Sequence, residues 1–271
     1  MSKIKVAVET YSWEMSEKPY KGNLGHIMKI AHQAGFTGIE PETSFFGELA
    51  DPIKMKETLD EHGIELAVLC HVEDWRHQKE TAEEKANANK WIDFLTHFPD
   101  TIYLPVQMPG KDRSDLQERQ KNLLSCVNAL AERAADKGVV CSYHPNSPSG
   151  SVFRTAEDYK ILLNGLNNKF IGYTPDLGHI AKGGMDPLAI IKEYRSLVNL
   201  VHFKDMFANG NWAPTGEGII DFQGITQFLI DTDYEGWIVM EDECDACITD
   251  PDGVTLNDGR FIDEKIRSML I

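Results

Sequence analysis

Histidine and carboxylate side chains, which together can bind a metal ion, recur in several short segments of this sequence. They are His144 in Tyr-His-Pro-Asn, Asp176 in Thr-Pro-Asp-Leu-Gly-His, His202 in Val-His-Phe-Lys-Asp and Glu241 in Val-Met-Glu-Asp-Glu. Mixed nitrogen and oxygen donors suit manganese, cobalt, zinc or iron better than calcium, which prefers an all-oxygen shell. We therefore predict one bound divalent ion of this group, with magnesium as a further candidate, on His144, Asp176, His202 and Glu241.

Such an ion acts as a Lewis acid on a carbonyl or hydroxyl, so that a nearby base can remove the proton next to it. We predict that Glu241 is both ligand and base, because a monodentate carboxylate keeps a lone pair whereas a metal-bound imidazole does not. Lys204 or His179 is the predicted acid that stabilises or protonates the resulting enediolate. The alternative for Lys204 is a salt bridge to Asp205 or to another carboxylate.

A sugar or polyol needs many hydrogen-bonding groups held in place around it. Polar side chains near the ends of predicted strands and aromatic side chains in predicted loops are suited to this, although such aromatic residues more often serve packing. Glu40 and Glu42 alternate along their strand, so both face inward only if the strand ends between them. The predicted substrate-binding residues are Glu40, His71, Gln107, Asn146, Trp13 and, in a second tier, Glu217. Further candidates are Glu42, Phe45, Phe46 and Trp212.

The elements that must position these residues alternate regularly. Short apolar runs rich in β-branched residues are separated by longer segments of helical period, which is typical of parallel α/β units. Strands are predicted at 4–9, 37–42, 65–71, 101–107, 139–144, 171–176, 200–204 and 236–241. Helices are predicted near 23–34, 51–62, 81–97, 114–136, 155–166, 186–194, 223–231 and 259–270.

This alternation fits either a closed barrel or a doubly wound sheet. Polar residues end nearly every predicted strand, which favours the barrel because a doubly wound sheet concentrates its chemistry at one or two switch points. The Gly-x-Gly-x-x-Gly motif of a dinucleotide-binding fold is absent after the first strand. We therefore predict one (β/α)8 TIM barrel domain over residues 1–271.

The overall charge excludes several classes of partner. With 43 acidic and 27 basic residues the chain carries a formal charge of -16, which repels phosphate backbones and anionic membrane surfaces. The sequence contains no apolar run of about 18 residues, the length that spans a bilayer. We expect a cytoplasmic protein that binds neither nucleic acid nor membrane, and a homodimer is a candidate assembly because barrels of this kind often pair.

The five cysteines are too few and too scattered for a disulfide framework. Cys244 and Cys247 match the Cys-x-x-Cys pattern, but they follow the last predicted strand, whereas a thioredoxin-like site opens a helix near the first strand. We therefore expect reduced, buried thiols.

Several motifs together resemble a known superfamily. They are Gly-Phe-Thr-Gly-Ile-Glu, Tyr-His-Pro-Asn, Asp-Leu-Gly-His, His-Phe-Lys-Asp, Gly-Glu-Gly-Ile-Ile-Asp-Phe and Gly-Trp-Ile-Val-Met-Glu. In order and spacing they look like the xylose isomerase-like barrels, which include sugar phosphate isomerases and epimerases, inosose dehydratases and apurinic endonucleases. The resemblance implies that Asp176, His202 and Glu241 take the positions of three metal ligands. It implies a metal-dependent sugar isomerase or epimerase that acts on a small ketose or keto-polyol through an enediolate.

One position departs from that pattern. Many ketose epimerases of the superfamily carry a glutamate where this chain has His144, and an imidazole bound to a metal is not a second base. An inosose dehydratase-like lyase acting on a keto-inositol or a 3-keto sugar is therefore the alternative. A non-catalytic carbohydrate-binding barrel is the alternative of another class, because fold does not dictate function. The negative charge argues against a nuclease.

Overall fold

The computed structural model describes residues 3–270. Within them the chain forms two compact units, one of residues 3–67 with 199–270 and the other of residues 68–198. No helix in this described part has both the length and the apolar character needed to span a membrane.

The strands and helices alternate along the described chain. The strands are β1 (Ile4–Glu9), β2 (Gly38–Glu40), β3 (Glu65–Leu66), β4 (Val68–Glu73), β5 (Ile102–Gln107), β6 (Cys141–Tyr143), β7 (Ile171–Tyr173), β8 (Val201–Phe203) and β9 (Gly236–Met240). The α-helices are α1 (Tyr11–Glu14), α2 (Leu24–Gln33), α3 (Pro52–His62), α4 (Ala82–Leu95), α5 (Leu116–Ala135), α6 (Ala156–Gly165), α7 (Leu177–Lys182), α8 (Pro187–Tyr194), α9 (Phe222–Asp231) and α10 (Pro251–Phe261). A π-helical turn, Ile262–Ile266, and a 3-10 turn, Arg267–Met269, follow α10.

The first unit contains a parallel sheet in the order β3-β2-β1-β9-β8. Its central residues are fully buried because helices cover parallel sheets on their outer face. Val8 lies opposite Ile39 on one side and Met240 on the other. Burying an aliphatic side chain of this size stabilises the fold by about 2 kcal/mol.

The second unit contains a parallel sheet in the order β4-β5-β6-β7. Tyr103 of β5 lies opposite Cys141 of β6, which in turn lies opposite Ile171 of β7. Helix α4 begins at a capping box in which Thr81 and Glu84 satisfy each other's backbone amides. The strand ends of this sheet carry the polar residues of the second unit.

Several boundaries differ from the sequence prediction. The strand predicted at 65–71 is divided at Ala67, because its first part pairs with β2 and its second part pairs with β5. The helix predicted at 259–270 begins earlier, at Pro251, where Asp250 caps it by accepting a hydrogen bond from the Gly253 amide. The short helices α1 and α7 were not predicted, because segments this short show no helical period.

Candidate active site

Two imidazoles and one carboxylate meet in the second unit. His144, Asp176 and His179 are all buried, and each offers a ligand atom within 4.8 Å of the others. His144 Nε2 lies 3.6 Å from Asp176 Oδ2, and the two imidazole ring centroids are 5.4 Å apart. This nitrogen and oxygen donor set fits zinc, manganese, cobalt or iron, so the residues present suit the divalent ion predicted from the sequence.

The local backbone explains how the Asp-Leu-Gly-His motif brings its two polar ends together. Asp176 follows β7 and is the N-cap of α7, where its Oδ1 accepts a hydrogen bond of 2.5 Å from the His179 amide. Ser147 Oγ lies 2.7 Å from His179 Nδ1. A partner at one ring nitrogen orients the other, as is common for histidines that bind metals.

A second cluster, in the first unit, surrounds His202 and Lys204. His202 Nδ1 lies 2.7 Å from Glu241 Oε2, and its Nε2 lies 2.9 Å from Glu40 Oε2. Lys204 Nζ donates to Glu241 Oε1 at 2.7 Å and also contacts Glu243. The Glu241 carboxylate therefore contacts both an imidazole and an ammonium group, and Lys204 forms salt bridges with Glu241 and Glu243.

Strand register explains why these residues meet. Glu9 lies opposite Glu40 at the C-terminal ends of β1 and β2. Glu241 directly follows β9, and its amide donates to the Phe203 carbonyl of β8 at 3.0 Å. Lys204 directly follows β8, so parallel pairing brings it to the same sheet edge as Glu241.

Burial and the nearby charges change the pKa values of groups in this cluster. Burial, followed by the charges of Glu241 and Glu40, raises the pKa of Glu9 well above its ordinary value. Burial opposes the charged form of His202, but the carboxylates of Glu40 and Glu241 nevertheless raise its pKa well above the ordinary value. The cluster can therefore hold and transfer protons beside Lys204.

Two members of this cluster, Glu9 and Glu243, were not among the sequence-predicted residues. Glu9 ends the first strand and is 8% exposed, so the rule that selected the other strand ends also applies to it. Glu243 lies two residues beyond Glu241, and only its contact with Lys204 reveals it.

The predicted polar residues of the second unit form their own contacts. His71 Nδ1 lies 2.6 Å from the Tyr103 hydroxyl, and burial lowers the pKa of His71 to about 4, so that its imidazole is neutral at pH 7. Asn146 donates to the Gln107 carbonyl at 2.9 Å, and Gln107 donates to the Asp74 carbonyl at 2.8 Å. Gln107 and Asn146 thus lie together after β5 and β6.

The aromatic candidates differ in their surroundings. Trp13 lies in α1 rather than in a loop, is 1% exposed, and donates its indole N–H to Asp252 Oδ1 at 2.7 Å. Phe45 and Phe46 are also buried, which fits the packing role that such aromatic residues more often have. Trp212 is half-buried and its ring centroid lies 4.4 Å from Lys204 Nζ, which is a cation–π contact.

The loop after β8 is organised by Asp205. Its carboxylate accepts hydrogen bonds from the amides of Met206, Gly216, Gly218 and Ile220. Gly216 has a positive φ of 87°, which favours glycine. Glu217, between the two glycines, is exposed.

Glu42 lies beyond the end of β2, as expected if the strand ends between Glu40 and Glu42.

Comparison with known proteins identifies the family. Residues 28–265 match the family model described as the xylose isomerase-like TIM barrel. The chain belongs to this family. Its members have the (β/α)8 barrel predicted from the sequence, and the fold prediction is confirmed by solved structures that align over nearly the whole chain.

Relatives of this xylose isomerase-like barrel include enzymes named inosose dehydratase. The chain is 29% identical over 167 residues to the inosose dehydratase of Clostridium beijerinckii, a match that covers 55% of each protein. It is 22% identical over 300 residues to that of Geobacillus kaustophilus, covering 98% of this chain and 96% of the relative. The chain thus matches about half the length of the first of these relatives.

Solved structures with the same fold include an epimerase and a zinc-bound protein. The 3-keto-D-glucoside 4-epimerase YcjR of E. coli is 17% identical, with a TM-score of 0.72 over 96% of this chain and 99% of that one. The IolI protein with a bound zinc atom is 14% identical, with a TM-score of 0.73 over 98% of this chain and 99% of that one. The family thus includes enzymes, and this chain carries a candidate divalent metal site.

Proposed function

We propose that this chain is a metal-dependent enzyme that removes a proton next to the carbonyl of a keto sugar or keto-polyol and so forms an enediolate. The observation that carries the proposal is the buried cluster of His144, Asp176 and His179, because this donor set suits a catalytic divalent ion. When bound, the ion would supply Lewis-acid polarisation of the substrate carbonyl.

The proposed ligands in the second unit are the imidazoles of His144 and His179 and the carboxylate of Asp176. Ser147, at 2.7 Å from His179 Nδ1, supports the orientation that a ligand needs. The ligand roles of His202 and Glu241 stay predictions from the sequence. The hydrogen bonds from both nitrogens of His202 to carboxylates favour His179 as the second imidazole ligand over its predicted role as an acid.

Glu241 is the proposed base and Lys204 the proposed acid. In TIM barrel enzymes the active site is built at the C-terminal ends of the strands, and Glu241 and Lys204 both follow their strands directly. Lys204 Nζ donates to Glu241 Oε1 at 2.7 Å, so an ammonium group lies directly beside the proposed base. Once Glu241 has taken the proton, the ammonium of Lys204 can stabilise the enediolate or release its own proton.

Loss of a hydroxyl from the enediolate is the product step that we favour. His144 stands where a two-glutamate epimerase has its second base. This chain therefore has no base at that position to return the proton to the opposite face of the substrate. In dehydration, the hydroxyl on the neighbouring carbon leaves as water after taking a proton from an acid. Isomerisation or epimerisation is the second candidate, and the buried, proton-holding Glu9 favours it as a group able to return a proton.

Deuterium exchange tests the shared first step. The purified protein, loaded in turn with manganese, cobalt or zinc, is incubated in deuterated water with ketoses, inososes and 3-keto sugars. We expect deuterium to enter the carbon next to the carbonyl of at least one class, with water lost in the favoured case. A matched Glu241→Gln protein is expected to show neither change. If no substrate class exchanges with any of the metals, the proposed function is wrong.

Metal analysis separates this enzyme from a carbohydrate-binding barrel without catalysis. Wild-type protein is expected to bind about one divalent ion through the His144, Asp176 and His179 cluster and to gain thermal stability from it. Protein that gains no stability from manganese, cobalt or zinc would favour the non-catalytic alternative.

A further inference from the structure

The chain has a second group of metal-type ligands, which the proposed reaction does not use. Asp242, Cys244 and Cys247 are buried in the first unit, and each offers a ligand atom within 4.8 Å of the others. Both thiols are free, as the sequence predicted. From these residues we infer that Asp242, Cys244 and Cys247 form a zinc site beside the last strand.

The spacing of the two sulfur atoms fits one shared zinc ion. Two thiolates held at about 2.3 Å from a tetrahedral zinc lie roughly 3.8 Å apart. The Sγ atoms of Cys244 and Cys247 are 4.0 Å apart. A disulfide bond would require about 2.05 Å.

The position of the Asp242 carboxylate supports the same geometry. A thiolate and a carboxylate oxygen on one tetrahedral zinc lie roughly 3.6 Å apart, and Cys247 Sγ is 3.8 Å from Asp242 Oδ1. The Cys244 amide donates to the same oxygen at 2.7 Å, and the Thr215 amide donates to Oδ2 at 3.1 Å. These hydrogen bonds hold the carboxylate towards the two sulfurs, as supporting contacts do around structural metal sites.

Asp258 is a further buried carboxyl group close to Asp242. It is 2% exposed, and among residues 3–270 its Oδ2 atom has no hydrogen-bond partner. A buried carboxylate oxygen without a partner is costly unless a cation or proton satisfies it. Burial, followed by the nearby Asp242 charge, raises the pKa of Asp258, which favours the proton, and Asp258 shares side-chain hydrogen bonds with Thr215 and Asp242. We therefore regard Asp258 as a contact that supports the Asp242 carboxylate and not as a ligand.

Two thiolates favour zinc over magnesium, calcium or manganese, which prefer oxygen ligands. Zinc would bind as the thiols of Cys244 and Cys247 each release a proton, which gives two sulfur ligands and one carboxylate oxygen from the protein. The bound ion would hold Cys247 to Asp242 and Cys244 within the segment after β9. That segment begins with Glu241, and Ser12 anchors it further by donating to the Asp242 carbonyl at 2.8 Å.

Cobalt substitution tests this site separately from the proposed active site. Reduced protein in which cobalt replaces zinc is expected to show thiolate-to-cobalt charge-transfer absorption, with about two metal ions bound per chain. Cys247→Ser should remove that absorption and weaken metal binding at this site. The loss of affinity should exceed roughly 100-fold, the upper end of what loss of a residue that only contacts a ligand can cost. His179→Ala should keep the absorption while losing the other ion, so failure of one proposal is distinguishable from failure of the other.

A buried cysteine outside the cluster provides the matched control. Cys126 is 1% exposed and contacts the His77 carbonyl, so Cys126→Ser should leave the cobalt absorption unchanged. If Cys247→Ser does not fold, the wild-type protein is alkylated in mild denaturant instead. Zinc should then slow the modification of Cys244 and Cys247 but not that of Cys126. Cobalt-loaded wild-type protein without thiolate absorption, or equal zinc protection of all three cysteines, would overturn the proposal.

Discussion

The ammonium nitrogen of Lys204 lies 2.7 Å from Glu241 Oε1, and both side chains are buried. An ion pair in this setting depends on both partners, because removing one leaves the other charged and without compensation. The pair places a cation directly beside the proposed base.

Replacing Lys204 tests its role as the proposed acid. Lys204→Met is expected to lower kcat by about 10² to 10⁴, the usual contribution of a general acid or base. Steady-state kinetics on the substrate found by deuterium exchange provide the measurement. Lys54→Met is the matched control, since Lys54 forms a surface pair with Glu48. Unchanged kcat in a folded Lys204→Met protein would refute the acid role.

Replacing Glu241 tests the base. Glu241→Gln keeps the shape of the side chain but removes the ability to accept a proton, so turnover should be abolished while most of the bound metal is kept. Kinetics and metal analysis on the same preparation measure the two effects. Glu65→Gln, at a surface ion pair with Lys5, should behave as wild type. A fully active Glu241→Gln protein would show that another residue is the base.

Replacing His202 tests how closely the two clusters are linked in function. His202→Ala removes the imidazole that contacts both Glu40 and Glu241, leaving these buried carboxylates without its charge. We expect the variant to lose turnover, because Glu241 is the proposed base, while it keeps the ion on His144, Asp176 and His179. Loss of that ion as well would support the ligand role that the sequence predicts for His202. His97→Ala, at an exposed position, is the control. Retention of both properties by His202→Ala would contradict the sequence-predicted ligand role.

Replacing Ser147 tests the His179 ligand. Ser147→Ala removes the hydroxyl 2.7 Å from His179 Nδ1 and should weaken divalent metal affinity about 10- to 100-fold, as loss of an outer contact does. Isothermal titration with zinc measures this change. Ser196→Ala, at an exposed position in the same unit, should leave the affinity unaltered. Equal affinities for both variants would remove His179 from the proposed ligand set.

Replacing His71 tests a consequence of its burial for stability. The folded pKa is about 4 and the unfolded value is near 6.5, so between these values the unfolded state binds more protons and stability falls as pH decreases. This contribution to the free energy of unfolding is about 3 kcal/mol. It is fully present above pH 6.5 and is lost by pH 4. Urea unfolding at pH 5 and pH 7 should show a smaller difference for His71→Gln than for wild type or His97→Gln. The same pH dependence in all three proteins would rule out this linkage.

Much of the architecture was predictable because it follows from local patterns. Alternating apolar runs and helical segments predicted the α/β repeats, and polar residues at strand ends predicted the barrel that the family comparison confirmed. The strand at 4–9 was predicted with its observed bounds. Boundaries that depend on pairing, such as the division at Ala67, were not predictable from local pattern.

The sequence by itself determined which residue types stand at the strand ends, because their positions follow from periodicity along the chain. It could not determine which of them touch, since contacts such as His202 with Glu40 join residues 162 positions apart. Only the folded sheet, through its strand register, brought Glu9 beside Glu40, and only the turn at α7 joined Asp176 to His179. The candidate metal site of the second unit therefore contains the sequence-predicted His144 and Asp176, and His179, which the sequence predicted as an acid, is proposed as a ligand because of where the fold places it.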